Sequence, residues 1–516
     1  MSGHRWAAAL ERAGEQVIDG CVDLDPTDEY LSRRTSDGRS LWLEPTAPNC
    51  TSATILAEEE GVLAWAIEAQ ADDPAPSRTV DWAGLDVLQG EAAAAVAGAD
   101  LLVLVVGPAG AGKTTTLERA VDDLAAWNRP VFGVAPTAKA ARVLERGTGM
   151  PTDTVAKLLR EWNRSDRPPL DQYRLPVGAT LIVDEAGMIG TASLHQLVGL
   201  AEGQGWRVAL VGDPRQLQAV GRGGLFNELC ATGRVHESSR IHRFTKSWEA
   251  AASLQLRAGN PRALDAYEAH DRIVAGPLED HLGRLAVTWI AQTTAGRSVA
   301  ITAATNDHVD AVNAAIQAGR RVGHLDPNNA VSIGGGEHAH PGDVVATRAN
   351  DRSRRTDAGQ MVRNRELWTV ISTHPDGSLT VSHRGGHGTV TLPVDYAQQH
   401  VRLGYAATEY GNQSETVDVA IELVSAATTH RGLYVGATRG RGWRRQPHPR
   451  HYRHRRVGGS PRRARNRPRS RPGRHPRRDT ATRTHPPNTP HPARPALAAG
   501  AAVGRSRLGS PVAHPA

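Results

Sequence analysis

A chain of 516 residues with 39% hydrophobic side chains has room for about three packed domains, and it holds no apolar run of about 18 residues that would span a membrane. Its net charge of +7 is misleading, because 20 arginines and a single acid follow from Arg441 onward, leaving 41 of the 61 basic and 53 of the 54 acidic groups in the first 440 residues. The acidic body excludes a global basic field for nucleic acid, and three scattered cysteines with no CxxC spacing and no signal-like segment point to a reduced, cytoplasmic protein with no membrane insertion.

Residues 1–80 read as an N-terminal linker and helical segment. Within it, "TSATILAEEEGVLAWAIEA" predicts a helix capped by Thr51 or Ser52, with Leu56, Leu63, Ala66 and Ile67 near one face; "DDPAPS" follows as a linker. From Leu101, short apolar runs ("LLVLVVG", "PVFGVAPT", "TLIVDEA", "RVALVGD" and later "RSVAITAAT") alternate with helical patterns. Runs without polar alternation suit parallel strands buried on both faces, so the expected class is α/β with parallel sheets. The reading places one domain at 81–240 and a second at 241–445. A β-rich insert at 340–395 is marked by Asp-Gly and Gly-Gly turns, and an Arg/Pro-rich tail without periodicity covers 446–516.

The chemistry concentrates in three stretches. "GPAGAGKT" fits GxxxxGK[ST] and stands between an apolar strand and a helix. Gly107, Pro108, Ala109, Gly110, Ala111 and Gly112 form a loop whose N–H groups can converge on phosphates. Lys113 supplies a cation, Thr114 a hydroxyl for Mg2+, and Thr115 continues the helix N-terminus that favours the anion. Only four lysines stand among the 61 basic residues, which makes Lys113 more telling. In "LIVDEAG", Asp184 at a strand end can hold Mg2+ through water, and Glu185 can orient and deprotonate an attacking water. "LVGDPRQLQAVGRGG" offers Gln216 as a γ-phosphate sensor. No NKxD is present, which weakens a GTPase reading.

In this order and spacing the three stretches resemble superfamily 1 helicases of the 1B, RecD-like group, and most nearly the helicase half of TraA/TrwC-type (MobF) conjugative relaxase-helicases. The resemblance covers about 85 to 440. It implies two RecA-like domains with ATP and Mg2+ between them and an SH3-like module at 340–395. It also implies 5′ to 3′ movement on single-stranded DNA and a link to conjugation machinery. Gln89 matches the adenine-reading Gln. Pro136 and Thr137 in "APTAKAARVL", with Thr154, match segments that touch the single-strand backbone. Arg243 matches an arginine that reaches the γ-phosphate from the second domain. Thr408 and Gln413 match the fifth motif, and Arg439 in "LYVGATRGR" a second arginine finger. Departures are Tyr410 and Ser414, where His or Lys and Gly are usual. The relaxase half needs a Tyr nucleophile and three metal-binding histidines; residues 1–106 hold only His4 and Tyr30, so no nickase activity is expected.

Two other function classes remain open on sequence: a truncated remnant that binds ATP or DNA without unwinding, and a P-loop ATPase acting on something other than DNA. His338 and His340 in a Gly-rich loop read as surface groups. His448–His454 lacks a framework to hold a metal. The tail reads as disordered and frameshifted soon after Arg441, against the alternatives of a phosphate-binding arm or an inert end.

Overall fold

The computed structural model describes residues 21–23, 50–73, 84–321, 329–413 and 416–441; Ser414 and the Arg/Pro-rich tail lie outside them. In the first lobe the apolar runs become strands in chain order: β1 (Leu102–Val106), β2 (Val131–Ala135), β3 (Thr152–Thr154), β4 (Thr180–Val183), β5 (Arg207–Gly212) and β6 (Val235–Glu237). They form one sheet in the order β3-β2-β4-β5-β1-β6, and every pairing is parallel. Because side chains alternate across a strand, Leu102, Leu104 and Val106 of β1 enter one core while Val103 and Val105 enter the other.

Helices cover both faces. The first core takes α1 (Ala53–Ala69), α5 (Val155–Trp162), α6 (Thr191–Gln204) and α7 (Leu225–Thr232). The second takes α2 (Val87–Ala97), α3 (Lys113–Ala126) and α4 (Ala138–Thr148). Ser52 caps α1 by accepting from the Ile55 N–H. The face of α1 agrees with the sequence reading at Ala66, which is buried, and at Leu63, which packs against the core; Val62, one turn before Ala66, is buried as well, whereas Ile67 is 69% exposed. Packing against α6 sets that face and brings α1 into the first core, so this part of 1–80 is not a free linker.

The second lobe starts with α8 (Ser247–Arg257), α9 (Ala263–Ala269) and α10 (Leu278–Thr294), followed by β7 (Val299–Ala303) and α11 (Asn306–Arg321). An antiparallel sheet comes next, with β8 (Val344–Thr347), β9 (Leu367–Thr373), β10 (Leu379–His383), β11 (Thr389–Leu392) and, after α12 (Val394–His400), β12 (Val401–Leu403). Its order is β11-β10-β9-β8-β12. This sheet runs past the expected boundary at 395, because Val401–Leu403 returns to pair with β8. The chain then adds β13 (Ala406–Thr408), α13 (Glu409–Asn412), β14 (Val419–Leu423) and α14 (His430–Ala437). β13 and β14 flank β7 in a three-stranded parallel sheet. One core, including Ile301, Val345, Trp368 and Leu403, joins the two sheets of this lobe.

Candidate functional site

The P-loop leaves β1 at its C-terminal edge, where open parallel sheets place their ligands. Gly110 takes φ +84°, and a Cβ there would lie 2.5 Å from the Arg243 Cβ, so only glycine fits both the backbone and the neighbour. No side chain caps the N-terminus of α3, which leaves its first N–H groups for an anion. Lys113 folds back on its own loop, donating from Nζ to the Gly107 carbonyl at 2.8 Å and to that of Pro108 at 3.5 Å. Pro108, Ala109 and Ala111 are buried, Thr114 is half-buried and Thr115 exposed.

Asp184 and Glu185 follow β4. The Asp184 N–H donates to the Val134 carbonyl at 2.9 Å, which ties the turn to the neighbouring strand. Glu185 sits at φ +52°, a left-handed conformation that costs a non-glycine residue of order 1 kcal/mol or more and aims its carboxylate across the cleft. There its Oε2 accepts from the Gln413 amide at 3.3 Å. Burial raises the Asp184 carboxyl above the ordinary carboxylate range, the Glu185 charge raises it further, and Lys113 pulls it back.

After β5 comes the segment Asp213–Gln216. Gln216 is buried, its amide donates to Asp213 Oδ2 at 3.5 Å, and its Oε1 has no hydrogen-bond partner among the described residues. Asp213 is a hub that the sequence reading missed. Its Oδ1 accepts from Arg257 Nε at 3.0 Å and from the Arg215 N–H at 3.1 Å, and its Oδ2 accepts from the Tyr434 hydroxyl at 2.9 Å. Arg431 adds bonds from Nη1 to the carbonyls of Pro214 (3.1 Å) and Gln216 (2.9 Å). Arg257, Arg431 and Tyr434 come from the second lobe, and no local spacing in the sequence announces that they converge on Asp213. The only signal was their proximity to matched motifs.

The two arginines singled out by sequence do meet. Arg243 lies against Gly110, donating from Nη1 to the Thr438 carbonyl at 2.5 Å and from Nη2 to Thr416 Oγ1 at 3.1 Å. Burial first, and the Arg439 charge second, push its guanidinium down to about 10. Arg439 is 3% exposed and donates from Nε to the Val435 carbonyl at 3.0 Å. Thus Arg243 stands at the P-loop, with the charge of buried Arg439 close enough to act on it.

Of the remaining sequence candidates, Gln89, Thr137 and Thr154 make hydrogen bonds within the first lobe. Gln89 is buried; its Oε1 accepts from the Asp86 N–H at 3.0 Å as half of a capping box on α2, and its Nε2 donates to the Ala111 carbonyl at 2.8 Å, holding the P-loop. Thr137 and Thr154 are the N-caps of α4 and α5, accepting from the N–H groups of Ala140 and Lys157. Pro136 precedes the first of these caps, and Thr408 stands at the start of α13 without a side-chain cap bond. Gln413 is buried against Glu185. His340 is more enclosed than a surface reading implies and faces Asp343, its Nδ1 3.5 Å from Oδ2. Among the described residues no group of three or more His, Cys, Asp and Glu side chains could hold a metal ion. None of their helices is long and apolar enough to cross a membrane.

Known proteins bear on this cleft. Residues 84–277 match a family model described as an AAA domain. Conjugal transfer protein TraA of Rhizobium radiobacter is 29% identical over 361 residues, which cover 67% of this chain and 31% of that protein. The chain therefore spans about a third of TraA's length. The ATP-dependent RecD2 DNA helicase of Deinococcus radiodurans is 37% identical over 156 residues, 28% of this chain and 20% of the helicase. Among solved structures, a Bacteroides Pif1 helicase in complex with ADP-AlF3 and ssDNA aligns over 69% of this chain and 90% of its own, with a TM-score of 0.47 and 17% identity. With the P-loop, the Asp184–Glu185 pair and the 213–216 segment in one cleft, these sequence matches show that the chain is similar to the RecD-like helicases and to TraA.

Proposed function

We propose that the chain is an ATP-driven motor that moves 5′ to 3′ along single-stranded DNA, as the helicase portion of a conjugative DNA-transfer protein. The observation that carries this reading is Arg243, held by Thr438 and Thr416 of the second lobe and lying against Gly110 of the P-loop, with the Arg439 charge acting on it. Two neighbouring guanidinium groups repel each other, and a polyphosphate between the lobes relieves that cost. Lys113 exchanges the carbonyls of Gly107 and Pro108 for the phosphates of ATP. Glu185 takes the proton of the attacking water; Gln216 reads the γ-phosphate by donating from its amide nitrogen, while its Oε1, which has no protein partner among the described residues, accepts from that water. Arg243 is already at the P-loop; Arg439 turns from the Val435 carbonyl into the cleft as the lobes close. Such a finger is worth on the order of 10³-fold or more in rate.

Thr114 and Asp184 supply hard oxygen donors that suit Mg2+, and the raised Asp184 carboxyl beside Glu185 is the kind of crowded pair a divalent cation stabilises. When bound, the ion offsets phosphate charge. The DNA path follows the starts of α4, α5 and α13, at Pro136, Thr137, Thr154 and Thr408, where helix N-termini offer N–H groups to backbone phosphates. The test is ATP hydrolysis with and without single-stranded DNA. Strong stimulation, abolished by Lys113→Ala, is expected. ATP binding with no DNA stimulation overturns the motor reading in favour of a remnant, and stimulation that survives Lys113→Ala removes the P-loop from the mechanism.

A further inference from the structure

The hydroxyl of Tyr434 has a position that none of the matched motif roles explains. Tyr434 belongs to α14 in the second lobe, is 1% exposed, and packs with Ala109 of the P-loop, Leu256 and Ala263 in a small core between the lobes. Its oxygen accepts from the Ala109 N–H at 2.9 Å and donates to Asp213 Oδ2 at 2.9 Å. Both the acceptor and the donor function of the phenol are therefore committed, each to a different loop of the first lobe. Donation to a carboxylate polarises the O–H and strengthens what the oxygen accepts, so the two bonds support each other. Asp213 cannot swing away to follow, because Arg257 and the Arg215 N–H hold its other oxygen.

We propose that Tyr434 is the positioning residue that carries the nucleotide state of the P-loop to α14, through the chain Ala109 N–H, Tyr434 hydroxyl, Asp213 carboxylate. The reading rests on the ATP hydrolysis proposed above. A displacement of the first P-loop turn, at Pro108–Gly110, pulls on the hydroxyl, and the hydroxyl pulls on a helix. The same helix grips the 213–216 segment through Arg431 and leads directly into Arg439. One phenolic oxygen thus ties three parts of the cycle together: the phosphate loop, the segment holding Gln216, and the arginine that must enter the cleft. Phenylalanine fills the same apolar space and can do neither of the hydroxyl's jobs.

The experiment compares the full chain with Tyr434→Phe, Asp213→Asn and the double variant. It reads steady-state ATP hydrolysis with and without a single-stranded oligonucleotide, with thermal melting to follow folding. Loss of a bond to a charged partner predicts a DNA-stimulated kcat about tenfold lower in Tyr434→Phe, with the KM for ATP changed less than about threefold. A defect confined to packing would not separate kcat from KM in this way. The double variant is expected to be no worse than the weaker single one, because both break the same chain. Wild-type stimulation in Tyr434→Phe, or losses that multiply in the double variant, overturn the proposal while leaving the motor reading intact. If Tyr434→Phe melts markedly lower, Asp213→Asn decides, since it keeps the volume and removes the charge that accepts from the hydroxyl, at the cost of its pairing with Arg257; unchanged stimulation there overturns the proposal. A wild-type chain with no DNA-stimulated hydrolysis sinks both readings together.

Discussion

The strands that carry the P-loop and Asp184 differ in material from the strand β14 that closes the second parallel sheet. In the first lobe β1, β4 and β5 are buried along their whole length and are apolar apart from Thr180 and Arg207 at their first positions and Gly212 at the end of β5. In the second lobe β14 is only partly enclosed and carries Glu422. The neighbouring segment adds Glu409, Asn412 and Gln413, all buried. A sheet fed by continuous apolar side chains is a rigid platform, and it is the platform that holds the P-loop and Asp184. The second sheet has polar side chains where a scaffold would have leucine. The Asn412 amide has two partners, the Ile301 carbonyl and the Thr302 hydroxyl, while oxygens of Glu409, Gln413 and Glu422 lack a hydrogen-bond partner among the described residues, which suits a part that rearranges around Gln413, Arg243 and Arg439.

The comparison is sharpest under matched deletions. Leu181→Ala in β4 removes a fully buried side chain from the centre of the first core, and a loss of about 4 kcal/mol is expected, high in the range for such cavities. Leu423→Ala at the end of β14 sits at the margin of its core and should cost about 2 kcal/mol. Denaturant melts of both variants read the difference. Equal losses would mean that the second sheet is as tightly fixed as the first, and the contrast fails.

The contact between the lobes offers a second cut. Arg142 of α4 reaches across to Glu366, with Nη1 and Oε1 2.6 Å apart and both side chains largely enclosed. Lys139 on the same helix donates to the Gly411 carbonyl at 3.4 Å. Burial already raises the Glu366 carboxyl and Arg142 holds it down, so removing the arginine lets Glu366 take up a proton instead of standing as a bare charge. Arg142→Met should therefore cost about 2 kcal/mol, less than the usual penalty for breaking a buried pair. Adding Glu366→Gln should restore part of it. A double-mutant cycle with no coupling between the two would show that the lobes do not depend on this pair.

What the sequence made legible follows the same division. "LLVLVVG", "PVFGVAPT", "TLIVDEA" and "RVALVGD" could be read as strands because burial on both faces demands unbroken apolar runs, and the structure has strands at all four. The strands Thr152–Thr154 and Val235–Glu237 escaped notice: three residues on the sheet edges carry no pattern. At the site, Lys113, Thr114, Asp184, Glu185 and Gln216 stand out because the chemistry needs them at fixed steps from a strand end. Asp213, Arg257, Arg431 and Tyr434 do not, since they meet only after the two lobes have packed, across 44 residues for Arg257 and 221 for Tyr434. On α1, Ala66 and Leu63 face the core as the periodicity suggests, but Ile67 does not, for a related reason. Helical periodicity narrows the choice of face, and packing against α6 makes the choice.

Glu422 gives the smallest effect and the most discriminating one. Its carboxyl lies under α14 where Gly436 has no side chain; a Cβ at that position would fall 1.7 Å from Oε2, so the glycine is what lets the helix approach. Neither oxygen meets a well-formed hydrogen bond among the described residues, and the Thr302 hydroxyl is only near enough to draw the carboxyl slightly down. Burial first and the Glu409 charge second push it up to about 9, from an ordinary 4.5. The folded chain therefore holds this proton more tightly than the unfolded chain does. Stability from this group is complete below about pH 4.5 and is lost as pH rises towards 9, because between those values the unfolded state gains by releasing the proton. Glu422→Gln keeps the shape and cannot titrate. Its advantage over the wild type should be near zero at acid pH and grow to roughly 1–2 kcal/mol at alkaline pH. Urea melts of both proteins across that window read the gap directly, since titrating groups that do not interact with Glu422 cancel in the difference, Glu409 excepted. A gap that stays flat means water or a local shift already solvates the carboxylate, and the second sheet is then looser under α14 than its packing implies.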